Sequence, residues 1–174
     1  MTVAKILVYL TILSTYALIV WGAYLTAGDW GLGCGPTSGA ISSGWPYCNG
    51  SLNFPNPASN YGAFVEYMHR TLSIVASLFL VASTVAVARL RPRPTAATRA
   101  LLLSIVLLII QVGLGDVVVD TSLNPIVTAL HLANATALFG VMVIAGVLMY
   151  QREKRGSAAP ASDGRTKDKV TLGP

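Results

Sequence analysis

Four side chains in a largely apolar sequence have types and spacing that suit chemistry. Glu66, His69 and Arg70 open one long apolar stretch, and His131 lies near the start of a later one. Ionisable groups inside a membrane segment are costly, so they are functional candidates by default. Imidazole binds iron and other transition metals, and a carboxyl group can move protons. These residues therefore indicate a site that binds a metal group or transfers protons within a membrane.

The composition indicates an integral membrane protein. The 174 residues are 53% hydrophobic and only 11% charged, whereas a soluble domain carries about 25% charged residues. The net charge of +5 does not predict nucleic-acid binding, because the basic residues are not gathered on a soluble face. We therefore expect contact with membrane lipid and none with nucleic acid.

Four apolar stretches reach the length of about 20 residues that a helix needs to cross a bilayer. They predict helices over residues 3–26, 64–88, 100–119 and 126–150. The first is interpreted as a retained helix, because its apolar run exceeds the about 7–15 residues of a signal-peptide core. The predicted fold is an all-α antiparallel four-helix transmembrane domain over residues 1–150. Residues 151–174 are polar and are expected to form a disordered cytoplasmic tail.

The lysines and arginines predict the orientation of the bundle. Of the twelve, Arg70 lies within the second stretch. The other eleven would lie on one side of the membrane, the side on which both termini lie. The positive-inside rule then gives cytoplasmic termini in a multi-pass cell-membrane protein. The long loop after the first helix, with Cys34 and Cys48, is expected on the outer face. These two cysteines would form either a structural staple or a redox-active pair.

The two histidines are predicted to face each other across the bundle. Each lies about five residues below its helix start, so at about 1.5 Å per residue their depths match. The second and fourth helices run in the same direction and resemble each other, which indicates two hairpins in a parallel repeat. In a bundle of sequential neighbours these helices are diagonal, so His69 and His131 would be axial ligands of a haem iron. A hydrogen-bonded packing role is the plainer alternative, and zinc would lack further ligands.

Glu66 precedes His69 by three residues, so the two share a helix face. Glu66 would handle protons beside a haem edge, or it would be an interfacial carboxylate stabilised by the helix dipole. Arg70 would contact a haem propionate or a lipid phosphate. Three further polar residues at similar depth are expected to cross-link helices: Gln111, Asp116 and Asn134.

Several short motifs follow one another along the chain. They are Trp-Pro-Tyr-Cys-Asn-Gly at 45–50, Glu-Tyr-Met-His-Arg at 66–70, Gln-Val-Gly-Leu-Gly at 111–115, Leu-Asn-Pro at 123–125 and His-Leu at 131–132. Together they resemble the heme A synthase family over nearly all of residues 1–150. The resemblance is specific because the motifs occur together, in order and on the expected helices.

The resemblance implies a helical-bundle oxidoreductase that converts heme O to heme A by oxidising a ring methyl to a formyl group. It implies catalysis by Glu66, haem ligation by His69 and His131, and a disulfide between Cys34 and Cys48. It also implies heme O synthase and a terminal oxidase as partners, with heme b a further candidate cofactor.

The chain departs from the family pattern in its length. Most members have two fused four-helix halves, and this chain resembles the N-terminal half and the compact variants of archaea. Either a homo-oligomer supplies two haem sites, or one site suffices with an external electron acceptor. The cysteines are also farther apart than the family pattern, and Asp116 stands where glycine is expected.

Three other functions fit parts of the sequence. A non-catalytic cytochrome that exchanges electrons with quinone needs the histidines but not Glu66. A quinone-linked thiol oxidase matches the size and topology, although it normally needs a closely spaced cysteine pair and a second pair. An assembly or scaffold subunit without chemistry is the third, and it would be favoured by the absence of bound haem after purification.

Overall fold

The computed structural model describes residues 3–35 and 47–158. Its described residues form four helices: α1 (Val3–Ala27), α2 (Tyr61–Ala88), α3 (Thr95–Asp120) and α4 (Pro125–Ala158). All four are long and apolar enough to cross a membrane. The predicted all-α fold with four membrane-spanning helices is therefore confirmed.

Two helices begin earlier than hydropathy indicated. α2 begins at Tyr61 because the side chain of Asn60 accepts a hydrogen bond from the backbone N–H of Ala63 at 3.0 Å, which caps the first turn. α3 begins directly after Pro94, whose carbonyl accepts from the Thr98 N–H at 2.9 Å. Residues that add little hydropathy, such as Gly62 and Thr95, thus belong to the first turns of these helices.

α4 continues to Ala158, so the end predicted at residue 150 is too early. Two contacts fasten its last turns to the rest of the bundle. Glu153 pairs with Lys5 of α1, and Arg152 Nη2 donates to the Pro92 carbonyl at 2.7 Å. The expected disordered tail is therefore helical over residues 151–158, and residues 159–174 lie outside the described part of the chain.

The helices form a ring in chain order. The closest packing is within two hairpins, α1 with α2 and α3 with α4. The ring closes through contacts of α1 with α4 and of α2 with α3, and among the described residues no Cα atom of α2 lies within 8 Å of one of α4. The predicted diagonal placement of α2 and α4 is therefore confirmed.

The buried apolar core occupies one half of the bundle, which we call the basic end because it carries the chain's arginine-rich connection. α1 and α3 contribute residues from their first halves. α2 contributes residues from its second half, and α4 from its middle and second half. They are Ala4, Val8, Leu80, Val87, Ala97, Leu101, Leu138, Met142, Ala145 and Met149. Both histidines lie in the other half, so the apolar core anchors the bundle without enclosing them.

A bridge between Cys34 and Cys48 marks the opposite half, which we call the disulfide end. Both cysteines are buried against Ala63 at the start of α2. The preceding loop lies so close that a Cβ on Gly33 would fall 2.4 Å from the Ala63 nitrogen. The cysteine pairing expected from the resemblance is thus confirmed, and the closed loop is packed onto α2.

Candidate functional site

His69 lies on α2 with its ring against a glycine of α1. A Cβ on Gly22 would lie 3.0 Å from Cε1 of His69 and 3.6 Å from its Nδ1. Nδ1 is buried and has no hydrogen-bond partner among the described residues. Buried polar atoms are normally partnered, so this nitrogen calls for an explanation beyond packing.

His131 lies on α4 in the same relation to a glycine of α3. A Cβ on Gly115 would lie 3.3 Å from Cε1 of His131 and 3.8 Å from its Nδ1. Unlike His69, this ring has a polar neighbour, because Nε2 of Gln111 lies 3.2 Å from Nδ1 and 3.0 Å from Nε2. The second hairpin therefore holds its histidine with an amide as well as with a small residue.

Asn134 fixes that amide in turn. Its Nδ2 donates to Gln111 Oε1 at 2.7 Å and to the Leu107 carbonyl at 3.0 Å. Because Oε1 is occupied, the Gln111 NH₂ group is the part that faces His131. The predicted helix cross-link is confirmed for Gln111 and Asn134, whereas Asp116 is exposed.

The described residues fit a haem between α2 and α4. The two imidazoles belong to the diagonal helices α2 and α4, between which no pair of Cα atoms lies within 8 Å among the described residues. Each ring packs closely against a glycine, and Nδ1 of His69 and Oγ1 of Thr128 are buried without hydrogen-bond partners among the described residues. Within residues 3–35 and 47–158, no cluster of three His, Cys, Asp or Glu residues could hold a metal ion. His69 and His131, one on each of the two diagonal helices, are residues that could hold an iron porphyrin.

Glu66 is buried at the junction of α2 and the disulfide-bonded loop. Its Oε2 accepts from the Cys34 N–H at 2.8 Å. Its Oε1 accepts from Arg70 Nε at 3.1 Å and also from Nη2. Both carboxyl oxygens of Glu66 thus accept hydrogen bonds from the protein itself. Glu66 lies on the same helix as His69, one turn nearer the loop.

Arg70 completes this arrangement from the other side. Its guanidinium is buried, and Nη1 donates to the Tyr47 carbonyl at 2.7 Å, next to Cys48. Glu66 and Arg70 together contact both ends of the loop that the disulfide closes, and we call this pair the clasp. Its i,i+4 spacing was a signal in the sequence, but the partners in the loop were not. The motif residues Trp45 and Pro46 lie outside the described residues.

Gly22 belongs to the site, although the sequence alone did not predict it. Its relation to His69 depends on how α1 packs against α2, and no nearby motif marks it. Gly115 belonged to a recognised motif, but its contact with His131 likewise appears only in the folded hairpin. A glycine facing a membrane histidine from the neighbouring helix is the feature that the two sites share.

The chain matches one known protein family over most of its length. The family model described as COX15-CtaA, cytochrome oxidase assembly protein, matches residues 5–172. The chain belongs to this family. The match covers all four membrane-spanning helices.

Three curated relatives are named heme A synthase. The one from Symbiobacterium thermophilum is 33% identical over 142 residues, 82% of this chain and 43% of its own length. The one from Bacillus pumilus is 28% identical over 82% of this chain and 44% of its own. The one from Bacillus licheniformis is 25% identical over 93% of this chain and 51% of its own. The chain thus spans about half the length of these relatives, and no solved structure gives a significant match.

Proposed function

We propose that this four-helix unit binds a haem between α2 and α4, with His69 and His131 as its axial ligands. The observation that carries the proposal is the repeated arrangement of a histidine against a glycine on two diagonal helices. The buried Nδ1 of His69 has no hydrogen-bond partner among the described residues, so packing alone does not account for this ring. Neutral imidazole is a standard axial ligand of haem iron, and bundle cores hold such cofactors.

We further propose that the bound haem is heme O and that the protein oxidises its ring methyl to the formyl group of heme A. The names of the three relatives support this reaction. The change removes electrons and protons from the methyl carbon and adds one oxygen atom, so it needs an electron acceptor, an oxygen source and a group that takes up protons. The product would serve a terminal oxidase, and heme O synthase would supply the substrate.

Glu66 is the proposed proton-accepting group. It is the carboxylate nearest His69 in sequence, and it lies on the side of the bundle closed by the loop. Its contacts with Cys34 and Arg70 orient the carboxylate and exclude water from it. In this role the clasp would position Glu66 rather than merely fasten the loop.

We propose that the disulfide end faces outward across the cell membrane. The unequal distribution of lysine and arginine supports this orientation, because the long disulfide-bonded loop contains neither. The oxidising outer face would also favour the Cys34–Cys48 bridge.

A non-catalytic cytochrome is the second candidate, and one observation favours it. Both oxygens of Glu66 already accept hydrogen bonds from the protein. A carboxylate used in this way can serve purely to hold the loop on α2. Haem binding would then be the whole function, with electrons passing to or from quinone.

Absorption spectra and haem extraction from the purified protein test the haem site first. The expected result is a low-spin bis-histidine spectrum, with heme O or heme A in the extract. Protein recovered without haem from haem-replete cells would contradict the proposal.

The variants Glu66→Gln and Arg70→Gln then separate the two candidates. If Glu66 takes up protons, Glu66→Gln should keep the haem spectrum and lower heme A formation by about 10²–10⁴-fold. Arg70→Gln breaks the same clasp but leaves the carboxyl group, so it should retain more product. Equal losses in both variants, with loss of the spectrum, would assign Glu66 to the loop alone.

A further inference from the structure

The basic end carries a cavity away from the histidines, between the start of α3 and the end of α4. Its volume is about 360 Å³. Three arginines line this polar cavity, Arg93, Arg152 and Arg155, and no acidic residue does. The neighbouring Glu153 is directed instead to Lys5 of α1. The cavity therefore concentrates positive charge that no carboxylate lining it offsets.

Arg152 has an unused donor in this cavity. Its Nη2 donates to the Pro92 carbonyl at 2.7 Å, which fixes the guanidinium in place. Its Nη1 is buried and has no hydrogen-bond partner among the described residues. A buried donor without an acceptor is destabilising, and an acceptor group in the cavity would remove that cost.

The first turn of α3 adds backbone donors to the same cavity. Pro94 precedes the helix and provides no side-chain cap. Thr95, Ala96 and Ala97 line the cavity, and the first N–H groups of a helix have no acceptor within it. These N–H groups and the positive end of the helix dipole favour an anion.

We propose that this cavity binds a phosphate group at the membrane surface. Guanidinium groups and helix N-termini both suit phosphate oxygens. The phosphate could belong to an anionic phospholipid or be free inorganic phosphate. The apolar lining residues Leu148 and Ala97 lie beside the arginines, as a lipid headgroup site between membrane helices requires. This site is separate from the proposed haem site and does not depend on it.

Native mass spectrometry of the full chain in neutral detergent tests the proposal. Phosphatidylglycerol, phosphatidylcholine and inorganic phosphate are titrated separately, and phosphatidylglycerol is then titrated with inorganic phosphate present. Preferential retention of phosphatidylglycerol without competition identifies the lipid as the source. Displacement of the lipid by inorganic phosphate identifies the free anion, and either result supports a phosphate site.

Two variants and a matched control decide whether the cavity is responsible. Arg152→Gln and Arg155→Gln should each weaken binding about fivefold, the effect of one basic side chain near an anionic surface. Arg155 is exposed, so its variant should fold even if Arg152→Gln does not. Arg99→Gln removes an exposed charge from α3, near the cavity but outside its lining, and should bind as the unchanged protein does. Equal weakening by Arg99→Gln, or unchanged binding in Arg155→Gln, would overturn the proposal.

Discussion

The two hairpins hold their histidines in the same pose but support them differently. In each hairpin the ring of the second helix faces a glycine of the first, with Cε1 nearest and Nδ1 next. One turn before the glycine, α3 has Gln111, and α1 has Leu18 at the equivalent position. His131 therefore has an amide beside its ring nitrogens, whereas Nδ1 of His69 has no partner among the described residues.

The outer contacts differ in the opposite sense. One turn before its histidine, α2 has Glu66, which is tied to Arg70 and to the disulfide-bonded loop. The equivalent position of α4 is Thr128, whose hydroxyl is buried and has no hydrogen-bond partner in the described part of the chain. The first hairpin thus has its additional polar contacts at the loop, whereas the second has them within the bundle. We infer that the shared part serves ligation and that the first hairpin carries the part specific to the reaction.

The largest expected effect comes from removing either histidine. His69→Ala and His131→Ala should each abolish the low-spin bis-histidine spectrum, because six-coordinate iron needs both rings. Absorption and electron paramagnetic resonance spectra of the purified variants provide the measurement. An unchanged spectrum in either variant would show that the two hairpins do not share one haem.

Removing the disulfide should affect the first hairpin more than the second. Closing a loop of about 15 residues contributes about 3 kcal/mol in the chain-entropy model, so the Cys34→Ser, Cys48→Ser double variant should unfold at a lower temperature. Ligation by His69 should weaken before ligation by His131, giving a mixture of six- and five-coordinate haem. Ser59→Ala, an exposed change in the same loop, serves as the control. A spectrum unaltered by the double variant would separate the loop from the haem site.

Gln111→Leu should make the second hairpin resemble the first. Loss of a group that orients a metal ligand typically costs about 10–100-fold in affinity, so haem retention should fall by that amount. Leu18→Gln tests the converse, because an amide at that position should approach His69 as Gln111 approaches His131. The midpoint potential of the haem should move in both variants, whereas a purely structural role for Gln111 would alter only thermal stability.

Alanine at the two glycines should give the smallest effect and rank the hairpins. The added Cβ would lie 3.0 Å from the ring at position 22 and 3.3 Å at position 115. Overpacking of this kind costs about 1 kcal/mol or somewhat more. Gly22→Ala should therefore shift the haem spectrum more than Gly115→Ala, and the reverse order would mean that His131 has less room to move than His69.

Hydropathy and charge predicted the four helices and their ring because both follow from local composition and chain order. Matched depth brought His69 and His131 together in the prediction because helix rise is constant. The partners of Glu66 and Arg70 depended on how a loop folds back onto α2, and Cys34 lies 32 residues from Glu66 in sequence. No local pattern encodes such a contact.

The extra turns of α4 were missed for a related reason. Polar residues after Tyr150 resemble a solvated tail in composition, but Lys5 and Pro92 supply partners for Glu153 and Arg152. Those partners come from distant parts of the chain. Tertiary contacts therefore decided both the helix end and the surroundings of Glu66.

The clasp also bears on the order in which the protein matures in the cell. Glu66 and Arg70 reach their backbone partners only when the segments around Cys34 and Tyr47 lie together on α2. We expect oxidation of the cysteines to precede the locking of this carboxylate, since the bridge holds those two segments side by side. A thiol oxidant that acts on this loop would then be a checkpoint during biogenesis, because the clasp would form only after the bridge.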